Sequence, residues 1–139
     1  MKSLSQILKE KTRPLATVSP AMTVQEAVEL MAKWDIGAVV VMEDDRLVGI
    51  FTERDCLHKI ALPNRNTRET KVGDVMTRPV RFATPELTVS ECLALMTERR
   101  FRHLPVLDRG EQVIGMISIG DLVKAKIDEH LQLERYIHG

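Results

Sequence analysis

Apolar positions along this chain switch between a helical and a strand period, and they do so twice in the same order. Leu4, Ile7 and Leu8 share one helical face, which predicts a short helix within residues 1–12, broken by Pro14. Leu15–Val18 reads as a short strand and Ser19–Thr23 as a turn. Val24, Ala27, Val28, Met31 and Trp34 then recur at helical spacing, and Thr23 with Glu26 three residues on makes a capping box. The helix is expected to end near Asp35–Gly37. Ala38–Met42 is apolar on both faces, as in a covered strand, and a polar turn at Glu43–Arg46 returns it into Leu47–Phe51. A second helix opens at Thr52–Asp55 and runs through Cys56, Leu57, Ile60 and Ala61.

Residues 63–70 are polar and rich in helix breakers and read as a linker. Lys71–Met76 then stands where the N-terminal helix stood, and the course repeats. Val80–Ala83 reads as a strand and Thr84–Thr88 as a turn, followed by a helix with the stripe Val89, Cys92, Leu93 and Met96. Arg102–Leu107 and Val113–Ile117 form the hairpin. A last helix from Asp121 carries Leu122, Val123, Ala125 and Ile127, with Leu131, Leu133, Tyr136 and Ile137 as its extension or frayed end.

Laid on itself with a shift of 65, the chain matches Thr12-Arg13-Pro14 to Thr77-Arg78-Pro79, Pro20 to Pro85, Thr23-Val24 to Thr88-Val89 and Leu30-Met31 to Leu95-Met96. One extra residue in the second hairpin makes the shift 66, and Gly49, Thr52 and Asp55 then meet Gly115, Ser118 and Asp121. Two copies are too few for a solenoid, so a closed pair is expected. The fold class is α+β: two β-α-β-β-α repeats packed with pseudo-twofold symmetry, residues 1–62 and 71–139, joined by the linker 63–70.

Composition narrows the function classes. Lysine plus arginine balance aspartate plus glutamate at 20 each, giving zero formal net charge. That disfavours a general nucleic-acid binder, whose domain is usually strongly basic. No apolar run approaches the roughly 20 residues of a membrane span, and the N-terminus has no signal-peptide pattern. A cytoplasmic location is therefore the expectation. Cys56 and Cys92 show neither a CxxC nor a metal-like spacing and read as buried free thiols. There is no evident nucleophile–base pair, paired-carboxylate site or metal cluster, so no catalysis and no catalytic cofactor are expected.

The chemistry concentrates in the doubled turn Gly49-Ile-Phe-Thr-Glu-Arg-Asp55 and Gly115-Met-Ile-Ser-Ile-Gly-Asp121. Thr52 with Asp55, and Ser118 with Asp121, fit a capping box and need do no more than that. Alternatively, a carboxylate at a strand-to-helix junction accepts two hydrogen bonds from a vicinal diol such as a ribose, with the hydroxyl residue and helix-start N–H groups serving other oxygens. Gly49 and Gly115 would then let a ligand or backbone approach closely.

The order hydroxyl-Pro-x-x-Thr-Val-x-Glu, an apolar strand, then Gly-h-h-[Ser/Thr]-x-x-Asp, present twice over nearly the whole chain, resembles a tandem CBS domain pair, or Bateman module. Thr52–Asp55, Arg102–Val106 and Ser118–Asp121 are similar to small stand-alone CBS-pair proteins. The resemblance implies adenine-nucleotide binding (AMP, ADP or ATP, and NAD as a further option) in clefts between the paired repeats. One site would use Ser118 and Asp121 for ribose, Ser19, Met22, Ile36 and Gly37 around the base, and Arg102 and His103 near phosphate. The other would use Thr52 and Asp55, with Thr84, Leu87, Phe101 and Arg102 around the base and Arg54 near phosphate. The two differ: Gly37-Ala38 stands opposite Arg102-His103, and Arg54 opposite Gly120. The resemblance also implies a homodimer and a client protein that reads the bound state. The competing reading is a ligand-independent interaction or scaffold module whose aspartates only cap helices.

Overall fold

The computed structural model describes the backbone of residues 2–138 and the side chains of residues 2–131. In chain order the elements are α1 (Leu4–Glu10), β1 (Thr17–Val18), α2 (Val24–Trp34), β2 (Ala38–Glu43), β3 (Arg46–Thr52), α3 (Glu53–Asp55), a π-helical segment (Cys56–Ala61), α4 (Val72–Val75), α5 (Val89–Arg99), β4 (His103–Leu107), β5 (Val113–Ser118) and α6 (Ile119–His138). Leu133, Tyr136 and Ile137 of the expected tail lie outside the described side chains, as does His138.

Two compact units result: Leu15–Arg81, and Met1–Pro14 together with Phe82–Gly139. These cuts differ from the repeat boundaries. The N-terminal helix joins the unit built on the second repeat, and the lead-in of the second repeat joins the unit built on the first.

In the unit Leu15–Arg81, β1 pairs parallel with β2, and β2 antiparallel with β3. The hairpin turns on Asp44 and Asp45, both at positive φ, which suits a tight two-residue connection. Val24, Ala27 and Met31 of α2 lie on Val39, Val41 and Phe51 of the sheet, with Trp34 packed at the margin. Thr23 and Glu26 form the expected capping box. The segment expected as a linker is laid on the same helix end: the Thr70 and Thr67 carbonyls accept from the N–H groups of Val24 (2.8 Å) and Gln25 (2.9 Å). Both are first-turn donors with no intrahelical partner, so the segment satisfies groups that would otherwise need water.

The other unit follows the same plan with one correction. Val80–Ala83 does not form a strand; only Ala83 bridges to Val106, in the parallel sense of the β1–β2 pairing. The sheet is therefore the β4–β5 hairpin alone. Phe82, beside the bridge, is exposed, so the short apolar run has no second face to bury. α1 completes the core, with Leu4 and Ile7 buried among Val89, Met96, Leu104 and Ile117. The Val89 N–H at the start of α5 donates to the Lys2 carbonyl at 3.0 Å, the counterpart of the Thr70 bond in the first unit.

Gly49 and Gly115 explain why each unit accepts a lead-in. A Cβ on Gly49 would meet the Met76 side chain just after α4, and one on Gly115 would meet Leu8 of α1. What approaches these glycines is therefore an apolar side chain of the lead-in, not the ligand or backbone expected from sequence. Gly115→Val should destabilise the protein by about 1–3 kcal/mol, the usual cost of overfilling a packed site. Leu8→Ala in the same chain should return part of that loss, and denaturant unfolding of the single and double variants measures the coupling.

Candidate functional site

The matched turns carry complete capping boxes. Thr52 N–H donates to Asp55 Oδ2 at 3.0 Å, and Asp55 N–H returns a bond to Thr52 Oγ1 at 3.2 Å. Ser118 N–H donates to Asp121 Oδ2 at 2.8 Å, and Asp121 N–H to Ser118 Oγ at 3.1 Å. Both carboxylates are thus fixed one turn inside a helix, on the positive end of its dipole.

Beyond the cap the turns diverge. Asp55 is buried, its side chain only 5% exposed. Its Oδ1 accepts from Thr77 Oγ1 at 2.7 Å and pairs with Lys59 Nζ at 3.0 Å, while Oδ2 also accepts from Thr52 Oγ1 at 3.2 Å. Lys59 donates further to the carbonyls of Val75 (2.9 Å) and Met76 (3.5 Å), closing the C-terminal end of α4. Asp121 keeps 25% of its side chain exposed, and Lys11 Nζ lies 2.9 Å from Oδ2. Lys11 also donates to the Met116 carbonyl at 2.9 Å.

The surrounding site residues fall within their own units. In the unit Leu15–Arg81, the Glu53 N–H donates to the Gly37 carbonyl at 3.0 Å, which brings Ile36-Gly37 to the Thr52–Asp55 turn. Ser19 and Met22 lie half-buried in the loop before α2, with the Ser19 N–H 3.4 Å from the Met22 sulfur. Arg54 is exposed. In the other unit, the Ile119 N–H donates to the Arg102 carbonyl at 2.9 Å, and His103 pairs with Ser118 across β4 and β5. Arg102, His103, Ser118 and Asp121 are therefore neighbours, with Arg102 exposed and His103 half-buried. Phe101 and Leu87 pack against the core of this unit, and Thr84 is exposed in the turn before α5.

Lys11, Lys59 and Thr77 contact the two aspartates and were missed by motif reading. A signal was present in the repeat comparison: Lys11 falls on Met76, and Lys59 on Ala125. Each unit therefore has one cation for its turn, delivered from the lead-in in one and from the following helix in the other. The thiols are quiet by comparison. Cys92 is buried and Cys56 half-buried, and burial pushes both up, with Asp55 adding to the rise at Cys56. Among the described residues no cluster of His, Cys, Asp or Glu is placed to hold a metal ion. No helix among them is long and apolar enough to cross a membrane.

Burial would raise the Asp121 carboxyl, but the Ser118 N–H bond and the Lys11 ammonium outweigh it and hold the group below its ordinary value. Its folded pKa lies below its unfolded one, so the charged form stabilises the fold above about pH 4 and that contribution is lost as pH falls further. Lys11→Met should cost up to about 1 kcal/mol at neutral pH. Urea unfolding at a series of pH values should show the gap to wild type closing as pH drops below about 4.

Comparison with known proteins gives the same frame. The CBS domain model matches residues 5–62 and 72–128. The CBS domain-containing protein CBSX3, mitochondrial, of Arabidopsis thaliana is 45% identical over 127 residues; the match covers 84% of this chain and 61% of that protein. The chain thus spans less than two thirds of that relative. The CBS domain-containing protein YhcV of Bacillus subtilis is 32% identical over 119 residues, covering 86% of this chain and 84% of its own. A solved structure of a signal-transduction candidate with CBS domains from Burkholderia ambifaria superposes with a TM-score of 0.86 at 47% identity, covering 91% of this chain and 95% of its own. Two more distant structures share the fold: CBSX2 in complex with AMP (TM-score 0.78, 24% identity, 94% of this chain and 99% of its own) and a CBS domain pair in complex with 5′-methylthioadenosine and S-adenosyl-L-methionine (0.79, 22%, 93% and 98%). Two successive CBS repeats, matched by family model, sequence relatives and solved structures alike, make this chain a member of the CBS domain family.

Proposed function

We propose that the chain is a regulatory module that binds an adenine nucleotide at the Ser118–Asp121 turn and passes the bound state to a client protein. The observation that carries this reading is the state of Asp121. Its Oδ2 is taken by the cap and by Lys11, while Oδ1 accepts no hydrogen bond among the described residues and the side chain keeps 25% of its surface exposed. A charged acceptor of that kind suits a ribose hydroxyl, since hydrogen bonds to an ionised partner are the strong ones. The Arg102 guanidinium, one residue before β4, is exposed and suits a phosphate through its planar donor fork. His103 stands beside it at the start of β4.

AMP, ADP and ATP are the ligands favoured, with NAD behind them. The adenosine ligands of the two distant CBS structures support the class. The signal is a population shift: a nucleotide that binds one arrangement of the chain better stabilises it by its differential affinity and no more. The reading as a ligand-independent interaction module rests on one fact, that both capping boxes are complete without a ligand.

A thermal-shift panel on ligand-stripped protein separates the two. A nucleotide at a hundred times its dissociation constant should stabilise the fold by about 2.7 kcal/mol, read as a rise of several degrees in Tm. Asp121→Asn should lose the Lys11 pair, worth up to about 1 kcal/mol, and weaken that ligand at least tenfold. No shift with AMP, ADP, ATP or NAD would leave the interaction module as the standing reading.

A further inference from the structure

We infer that the Thr52–Asp55 turn is a structural latch closed to ligands, so that the chain takes one nucleotide, not two. The stoichiometry rests on the nucleotide reading above; the latch does not. A carboxylate offers about four lone-pair positions. At Asp55 three hydrogen-bond donors and one ion pair occupy the two oxygens: the Thr52 N–H and hydroxyl on Oδ2, the Thr77 hydroxyl on Oδ1, and the Lys59 ammonium 3.0 Å from Oδ1. With 5% of the side chain exposed, a diol would reach this carboxylate only by displacing Thr77 and Lys59 from Oδ1. The displaced donors would include a lysine that also bonds the carbonyls ending α4, and a threonine whose N–H and carbonyl pair with Ile50 in β3 at 2.8 and 3.1 Å. Opening the turn therefore means detaching the segment from α4 to Thr77 from its sheet.

The matched turn is built differently. Oδ1 of Asp121 accepts no hydrogen bond among the described residues, and 25% of the side chain stays exposed. Gly120 stands where Arg54 does, and a Cβ there would meet only Ser118 Oγ at 3.6 Å. Ala125, small and buried, replaces the lysine that seals the other turn. The two turns have the same sequence motif and opposite jobs: one holds a lead-in in place, the other keeps an acceptor available.

Two measurements on the full chain decide it. Without nucleotide, Asp55→Asn should lower Tm several degrees more than Asp121→Asn, and Thr77→Val should fall between them; equal losses at the two aspartates would overturn the latch. In calorimetric titration with AMP, wild type should bind one equivalent per chain. Thr77→Val should keep wild-type affinity within about twofold, and Asp121→Asn should lose at least tenfold. Two equivalents per chain, or loss of binding in Thr77→Val with retention in Asp121→Asn, would also overturn it. Complete absence of AMP binding to wild type would count against the nucleotide reading, and the melting comparison alone would then decide the latch.

Discussion

Each repeat sinks a carboxylate into the first turn of a helix, and much of the surrounding structure is an answer to how its lone pairs are filled. A capping box uses one oxygen and leaves the other to be satisfied by water, a ligand or another side chain. Burial removes water from the choice. At Asp55 the gap is closed by Thr77 and Lys59, and because those two belong to or touch the lead-in after α4, the carboxylate becomes the point at which that segment is tied to the sheet. At Asp121 partial exposure keeps water in the choice, and Lys11 is enough.

The lead-ins owe their positions to apolar contact as much as to these polar ties. Met76 and Leu8 lie against strand glycines where a Cβ would not fit, and Leu4, Val72 and Val75 are fully or almost fully buried. A leucine taken wholly out of water contributes on the order of 2 kcal/mol, more than an exposed ion pair does. Apolar burial therefore holds the lead-ins in place, and the Lys11 and Lys59 contacts set the register of the last residues. The N–H groups starting α2 and α5 add direction, since each donates to a backbone carbonyl that must arrive at one height.

Most of the fold was legible because its signals are local. Capping boxes at Thr23 and Thr88, the stripes of α2 and α5, and both hairpins rest on residues within a few positions of one another. The strand expected at Val80–Ala83 failed for the opposite reason: a strand needs a partner along its length, and only Ala83 finds one. The exchange of lead-ins was hidden too, because packing α1 on β5 and Met76 on β3 depends on contacts between residues far outside any local motif. At the site, the motif located both aspartates but carried no information on their partners. Lys11 is 110 residues from Asp121, and Thr77 is 22 from Asp55.

Where the cation comes from has a chemical consequence. A carboxylate at this turn needs one positive neighbour, and a lysine in the lead-in or one turn into the following helix both supply it. The helical position brings Lys59 to Oδ1, the oxygen that the cap leaves and Thr77 already bonds, and so neutralises it. The lead-in position brings Lys11 to Oδ2, which the cap already uses, and spares Oδ1. Two lysines at non-equivalent places, Lys11 against Met76 and Lys59 against Ala125, thus turn one duplicated motif into a closed and an open form. The resulting asymmetry lies in which oxygen is neutralised, a distinction that neither net charge nor the motif itself contains.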